Sequence, residues 1–457
     1  MQLKGKKVHI IGICGIGMST IAMHLNNLGA IVQGSDIATD GEMGQKLKSI
    51  GINVSDHSAE NITENLDFIV RSTAIQDNNI EIIKAKELNI PILSRSDILS
   101  EITRQHSCVV GITGAHGKTT TTTMTGELLY KLARNPTVFS GGVMGFCDSN
   151  FRSGSKALMV VEADESDGTF MRLKTDIAVV TNIEFEHAEF YKDFNEMIEV
   201  YEIFVNNINV QKVIICGDDP GIKSLRINPS KEIISYGFDQ NNDIYVKDIE
   251  FSGDKIDFTI VKNTKEFGRF SLNAIGIHNV LNVISAFAVG SLFCSSDDEF
   301  IKISKEMMKN FRGVARRFNL LPNNKNLTII DDYAHHPTEI RATIASAKQM
   351  GKRVVAVIQP HRYTRLNALM DDFVSCLDEA DIGVVTEVYS AGENAIEGVS
   401  SEILYKTMLG KGKAKEYHFI STPDELYELL DTIVMDDVVV FMGAGNITTW
   451  AKSYAAL

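Results

Sequence analysis

Residues 108–121 read Cys-Val-Val-Gly-Ile-Thr-Gly-Ala-His-Gly-Lys-Thr-Thr-Thr, and this stretch decides the fold. An apolar run ends in glycines, and Gly117-Lys118-Thr119 has the form of the functional end of a phosphate-binding loop between a strand and a helix. In such a loop backbone N–H groups surround the phosphates, Lys118 reaches the β/γ oxygens and the Thr119 hydroxyl binds Mg2+. The glycine expected five residues before Gly117 is absent, and Gly111 and Gly114 take over the flexible positions. A chance Gly-Lys-Thr is common, but its setting after an apolar strand and before a helix favours phosphate and places the stretch in an α/β sheet.

Outward from this loop the pattern repeats. ALMVVEAD, DIAVVTNI and KVIICGDD are further apolar strands interleaved with helical stretches, which predicts a parallel sheet. Two acidic clusters, Glu162-Ala-Asp-Glu-Ser-Asp167 and Glu184-Phe-Glu-His187, end strands of this set, so they are expected to converge on the phosphate edge. Each alone suits a solvated loop or helix cap. With the phosphate loop they favour metal-assisted phosphoryl transfer, and hard oxygen ligands with one imidazole suit Mg2+ better than zinc. From about Ile233 to Leu272 the period shifts toward two, predicting an antiparallel ribbon. An apolar helix is expected over His278 to Phe293; Asn279 and Asn282 share one of its faces and either read a purine edge or form a buried polar cap.

The first segment has the same grammar: VHIIGI, a helix over Ser19 to Leu28, AIVQGSD, a helix near Gly41 to Ile50, and DFIVRST. Gly12, Gly15 and Gly17 follow its first strand and Asp36 ends its second. Such glycines let a backbone approach a pyrophosphate, and the carboxylate can bind a ribose or base; a tight turn without ligand is the alternative. The spacing departs from G-x-G-x-x-G, which weakens NAD and leaves another nucleotide open. The third segment, with LTIIDDYA, a helix from Pro337 to Met350, RVVAVIQ, ADIGVVTEV, YHFIS and VVVFMGAG, is a third open α/β sheet. Its Asp331-Asp-Tyr-Ala-His-His-Pro-Thr-Glu339 and Gln359-Pro-His-Arg-Tyr-Thr-Arg365 are expected at adjacent strand ends, where the arginines suit an anionic substrate. Boundaries are placed near Arg104 and Phe311, giving domains 1–104, 105–311 and 312–457.

Length and composition agree. The 457 residues suggest about three domains, and 44% hydrophobic with 23% charged residues describes a globular chain rather than a disordered one. With 45 Lys+Arg against 59 Asp+Glu the formal charge is -14, which argues against general nucleic-acid binding. Cys14, Cys108, Cys147, Cys216, Cys294 and Cys376 form no C-x-x-C pair, so neither a disulfide framework nor a thiolate metal site is expected. The apolar start is broken by glycines with no cleavage site after it, and Val280 to Phe293 is too short to span a bilayer. A cytoplasmic protein with no membrane partner is expected, and charge and composition are equally compatible with monomer and homodimer.

Together GICGIGMS, SDI, STAI, GAHGKTTTT, EADESD, TNIEFEH, GIHNVLN, GVARRF, DDYAHHPTE, QPHRYTR, TEVYSAGE and GAGN occur along the chain in the order of the Mur ligase family, which the whole chain resembles. The resemblance implies an α/β, three-domain Mur ligase architecture: a Rossmann-like N-terminal domain for the UDP-sugar, a P-loop ATPase-like central domain for ATP, and a Rossmann-like C-terminal domain that closes on the amino acid. Within the family the alanine-adding branch matches best. The implied reaction joins L-alanine to the lactyl carboxylate of UDP-N-acetylmuramate through an acyl phosphate, with ATP becoming ADP and phosphate.

Carried onto this sequence, the resemblance implies that Gly114, Ala115, His116, Gly117, Lys118, Thr119, Thr120, Asn279 and Asn282 bind ATP. Gly12, Gly15, Gly17, Met18, Ser19, Asp36, Ser72 and Arg365 would bind the UDP-sugar, and Tyr333, His335 and Arg362 the amino acid. Thr119, Glu162 and His187 would hold Mg2+, and Lys118, Glu162, His187, His335, His361 and Arg362 would serve the chemistry. Ala115 stands where the family usually has threonine and Glu186 where aspartate is usual. EFEHAEF also resembles the relative that attaches a recycled tripeptide, whereas EADESD and QPHRYTR agree with the alanine-adding branch. A nicotinamide oxidoreductase leaves the phosphate loop without a role; a non-catalytic nucleotide-dependent module is the remaining alternative from another class.

Overall fold

The computed structural model describes residues 3–457 except 167, 187–189, 254 and 326. Three sheets follow one another along the chain. The first is entirely parallel, with strands in the spatial order Asn53–Ser55, Ile31–Ser35, Lys7–Ile11, Phe68–Arg71 and Ile92–Ser94. Its order reverses beside Lys7–Ile11, so the glycine turn after that strand sits at the topological switch point, where open α/β sheets bind ligands. The helix after the turn runs Ile16–Asn27, starting before the expected Ser19 because the glycine-rich residues already supply its first turn.

The central sheet has ten strands. Cys108–Thr113 lies between Leu158–Glu162 and Ile177–Val180, so both acidic clusters flank the phosphate loop as expected. The helix behind the loop, Lys118–Lys131, carries Thr119–Thr123 and Thr125. These β-branched residues are weak helix formers, costing together about 3 kcal/mol relative to alanine. Tertiary packing overrides propensity here, because all of them are buried and Gly126 lets Val138 approach the helix closely. The expected ribbon is shorter than the period suggested. Glu232–Gly237 is a parallel strand, and the antiparallel part comprises Ile244–Ser252, Lys255–Lys262 and Lys265–Leu272; Ile233 and Ile234 lie at the same edge but pair with Lys212–Cys216. The apolar helix is His278–Ser291.

In the third sheet the order is Asn319–Leu321, Thr328–Asp332, Val438–Met442, Val354–Ile358, Ile382–Thr386 and Glu416–Ile420, with the first strand alone antiparallel. The two histidine-bearing strand ends are therefore not adjacent: Val438–Met442 returns from the end of the chain to lie between them. One face of the first sheet and the whole central sheet share a single apolar core, while the third domain has two cores of its own. Among the described residues no helix is long and apolar enough to cross a membrane.

Candidate active site

The phosphate loop leaves its strand at Gly114 (φ +134°) and enters its helix at Gly117 (φ +82°). Both need glycine: a Cβ at Gly114 would lie 2.1 Å from Thr181 Oγ1, and one at Gly117 2.4 Å from Asn282 Oδ1. Lys118 Nζ donates to the carbonyls of Gly114 (2.6 Å) and Ala115 (3.1 Å) and to Glu165 Oε1 (2.7 Å). Burial opposes its charge, but Glu165, Asp164 and Glu186 outweigh this and hold the ammonium firmly protonated. Thr119 Oγ1 donates to Glu162 Oε1 at 3.0 Å, and the Gly141 N–H to Glu162 Oε2 at 2.6 Å. Burial pushes the Glu162 carboxyl above its usual range against the pull of Lys118.

His116 binds the loop to its surroundings. Its N–H donates to Asn182 Oδ1 (2.8 Å), Nε2 meets Glu184 Oε2 at 2.9 Å, and Nδ1 stands 3.5 Å from Glu339 Oε1 of the third domain. Burial disfavours the imidazolium, yet the hydrogen bonds to Glu184 and Glu339 and the charge of Glu186 raise its pKa to about 10. Thr338 Oγ1 donates to Glu184 Oε1 at 2.7 Å, so the same cluster ties the central domain to the third.

Two cavities meet at the loop, sharing Gly117, Arg317 and Glu339. One, of about 510 Å³, is lined by Asn279, Asn282, Tyr236, His278, His116 and Thr120. Asn282 donates to Asn279 Oδ1 (3.1 Å) and accepts from Thr121 Oγ1 (3.2 Å), while Asn279 Nδ2 caps the Ile275 carbonyl. The amides thus form the buried polar cap that one reading of their spacing expected, and they also line a cavity. Burial, with the Arg317 charge, lowers the His278 pKa to about 4, so this imidazole is neutral, in contrast to His116 in the same lining.

The second cavity, of about 410 Å³, draws on all three domains. Gly15, Gly17, Met18 and Ser72 come from the first; Ala115, Lys118, Thr119 and Glu162 from the second; Tyr333, His335 and Arg365 from the third. His335 Nδ1 lies 2.9 Å from the Tyr333 carbonyl. A carbonyl only accepts, so Nδ1 carries the proton and Nε2 is left as an acceptor. Burial and then the nearby Arg365 charge push the His335 pKa well below the usual histidine range.

Several expected residues lie outside this lining. Asp36 Oδ2 accepts from the Cys14 N–H (2.9 Å) and Oδ1 from the Ala38 N–H (3.0 Å), fastening the glycine turn rather than facing the cavity. Gly12 sits under Ser72, whose Cβ would be 3.0 Å from an added Cβ. Ser19 is buried, donating to the Ile16 carbonyl and receiving Asn150 Nδ2 of the central domain. His361 stacks on Tyr389 and meets His335 edge-on at 5.7 Å between centroids, while Arg362, at φ +71°, approaches Glu393 at 3.9 Å. His361 thus stands behind His335. His187 and Asp167 lie outside the described residues.

Arg317, Glu339 and Arg95 line the second cavity without having been singled out. Arg317 Nη1 is 3.5 Å from Glu339 Oε1 and its guanidinium lies 5.2 Å from the Tyr333 ring centroid. Glu339 closes a capping box with His336 at the start of the helix Pro337–Lys348, a signature present in HHPTE. Arg95 is what a Cβ on Gly17 would strike, at 2.9 Å from Nε.

Three family models match the chain: Mur ligase family, catalytic domain, over residues 7–107; Mur ligase middle domain over 112–290; and Mur ligase, glutamate ligase domain, over 316–445. The UDP-N-acetylmuramate–L-alanine ligase of Brucella anthropi is 42% identical over 99% of this chain and 97% of its own. The crystal structure of the UDP-N-acetylmuramate-alanine ligase MurC from Thermotoga maritima superposes with a TM-score of 0.83 at 29% identity, covering 98% of both chains. A murein peptide ligase from Psychrobacter arcticus shares the fold, with a TM-score of 0.73 at 22% identity over 98% of this chain and 99% of that one. The motifs, the three sheets and these matches agree, and the chain belongs to the Mur ligase family.

Proposed function

We propose that this protein is the ATP-dependent ligase that joins L-alanine to the lactyl carboxylate of UDP-N-acetylmuramate in peptidoglycan precursor synthesis. The carrying observation is the second cavity, where the glycine turn of the first domain, Lys118, Thr119 and Glu162 of the second, and Tyr333, His335 and Arg365 of the third line one space. Full-length identity of 42% to an alanine-adding relative supports the choice of amino acid. Residues 1–104, 105–311 and 312–457 serve the UDP-sugar, ATP and closure on the amino acid.

ATP enters with its base in the cavity of Asn279 and Asn282 and its phosphates over the 114–120 loop. The lactyl carboxylate attacks the γ-phosphorus; an O–P bond forms, the bond to the β–γ bridging oxygen breaks, and ADP leaves. Lys118 neutralises charge on the transferring group. The alanine amine then attacks the acyl carbon and inorganic phosphate departs carrying the amine proton, while the neutral His335 accepts a hydrogen bond from the amine at Nε2 and orients it. Tyr333 and Arg365 hold the amino acid and muramoyl side, with His361 behind His335, whereas Arg362, outside the lining and near Glu393, has no part in holding it. The close Thr119–Glu162 pair and the burial of that carboxylate fit Mg2+, an oxygen-seeking cation; His187 completes the proposed donor set, and the ion would neutralise phosphate oxygens. Exclusion of water by all three walls protects the acyl phosphate.

The deciding measurement is phosphate release with UDP-N-acetylmuramate, ATP and Mg2+ against glycine, L-serine, L-alanine and L-alanyl-γ-D-glutamyl-diaminopimelate. L-alanine is expected to give the largest kcat/KM. Turnover only with the tripeptide reverses the assignment, and none with any acceptor favours a nucleotide-dependent binding module.

A further inference from the structure

Beneath the glycine turn of the first domain lies a buried polar network that the reaction above does not use. Glu81, completely buried, is the second residue of the helix Ile80–Glu87, whose N-cap Asn79 accepts the Glu81 N–H at 2.8 Å. Its Oε2 accepts from Ser35 Oγ (2.5 Å) and His57 Nδ1 (2.9 Å). Its Oε1 accepts from Asn61 Nδ2 (2.7 Å) and lies 3.3 Å from His9 Nε2. Chemistry fixes the protons. Gln33 Nε2 donates to the Asn61 carbonyl (2.9 Å) and so also presents N–H to His9 Nδ1 (3.2 Å). His9 therefore accepts at Nδ1 and carries its proton on Nε2, toward Glu81. Desolvation opposes the carboxylate, yet the hydrogen bonds from His9, Asn61, Ser35 and His57 hold the Glu81 pKa down at about 2, and the start of a helix favours negative charge.

The network ends on the ligand loop. Ser35 is the last residue of its strand, and its carbonyl accepts from the N–H groups of Gly12 (2.8 Å) and Ile13 (3.1 Å). The next residue, Asp36, accepts from Cys14. The glycine turn thus hangs by three hydrogen bonds from a strand end whose side chain is anchored to Glu81. We propose that Glu81 is a positioning residue for the UDP-sugar: through Ser35 it fixes the strand end that holds residues 12–14, and so the height of the turn against the phosphates. This rests on the assignment of the first domain to the UDP-sugar.

The test compares wild-type protein with Glu81→Gln, Ser35→Ala and the double variant, each full length. UDP binding is measured by calorimetry, and steady-state constants are measured for UDP-N-acetylmuramate, ATP and L-alanine. Glu81→Gln is expected to weaken UDP and raise the UDP-N-acetylmuramate KM by about tenfold, leaving the ATP KM within about twofold and kcat within about threefold. Ser35→Ala moves the same constants in the same direction, and the double variant is no worse than Glu81→Gln by more than about twofold, because both cut one connection. An unchanged UDP affinity in Glu81→Gln, a parallel loss of ATP affinity, or multiplying losses in the double variant would overturn the proposal. A general loss of folded protein lowers kcat with KM unchanged and counts against it. Where Glu81→Gln melts below the assay temperature, Ser35→Ala decides on UDP affinity alone. A wild type that binds no UDP removes the domain assignment itself, and the first titration separates that failure from the others.

Discussion

Replacing Glu165 by glutamine isolates the charge that balances Lys118 before ATP arrives. The Lys118–Glu165 pair is 2.7 Å long with side-chain exposures of 14% and 1%. Removing one partner of a buried pair costs about 3–5 kcal/mol, because the other charge is left in a low-dielectric site. Here the Gly114 and Ala115 carbonyls still accept from Lys118 and glutamine keeps one acceptor, which places the loss near about 3 kcal/mol. The first and central domains share one core, and a unit of that size melts about 1.5 °C lower per kcal/mol, so without nucleotide it should unfold roughly 5 °C earlier. Mg-ATP should recover most of that. In the wild type the phosphates compete with Glu165 for Lys118, whereas in the variant they supply the missing anion, so the ATP-induced rise in melting temperature must be larger than in wild type. Thermal unfolding by calorimetry with and without Mg-ATP measures both. A variant that melts within 2 °C of wild type without nucleotide, or gains less from ATP, would refute the reasoning.

Three further outcomes are expected. Lys118→Ala should lower kcat by at least about a thousandfold, as loss of a major electrostatic stabiliser does, while circular dichroism stays native; near-normal activity would remove the phosphate-loop assignment. His116, with its pKa raised to about 10 from 6.5, contributes stability that is fully present below pH 6.5 and is lost as the pH rises through about 10; melting temperatures between these limits should fall more steeply for wild type than for His116→Asn, and parallel profiles would contradict the ion cluster. Gly17→Ala places a methyl group against the Arg95 guanidinium and should raise the UDP-N-acetylmuramate KM about tenfold with the ATP KM unchanged, as initial-rate kinetics would show.

What could be read from sequence followed chain locality. Cys108 to Thr120 is one continuous stretch, so a single short string specifies strand, loop and helix, and the structure places these three as expected. The acidic clusters could be placed because parallel crossovers bring strand ends to one edge. Spatial order beyond that is set by tertiary pairing. The histidine-bearing ends of Thr328–Asp332 and Val354–Ile358 neighbour each other in sequence, but Val438–Met442 returns about eighty residues later to separate them. Asp36 shows a second limit: the position was right and the partner was not visible, since a carboxylate at a strand end can bind a ribose or its own backbone, and here Cys14 and Ala38 satisfy it. Arg317 reaches the site from a connecting segment, with no periodic signal to mark it.

The division of the cores determines which wall of the reaction cavity can move. The first and central domains share one apolar cluster, reinforced by Asn150 reaching Ile16, Ser19 and Thr20, so separating them would expose apolar surface at about 25 cal/mol per Å². The third domain keeps its own cores and meets the central one through Thr338–Glu184, His116–Glu339 and His336–Glu186. Water can take over such polar contacts, but each involves a carboxylate, so their net cost on opening is about 1.5–3 kcal/mol each. The connecting backbone carries positive φ at Gly313, Arg316 and Phe318, where several peptide groups can redirect the chain. Opening along this polar seam would uncover Tyr333, His335 and Arg365 on one side and the phosphate loop on the other, and would leave the glycine turn and Lys118 fixed relative to each other. With a net charge of -14, two polyanionic substrates must be drawn in by local features. Lys118 and the loop amides belong to the two domains that share a core, and Arg317 and Arg365 to the segment and domain that would move against them. On the proposed function, closure along this seam would bring cationic charge to the transferring phosphoryl group in the same movement that excludes water.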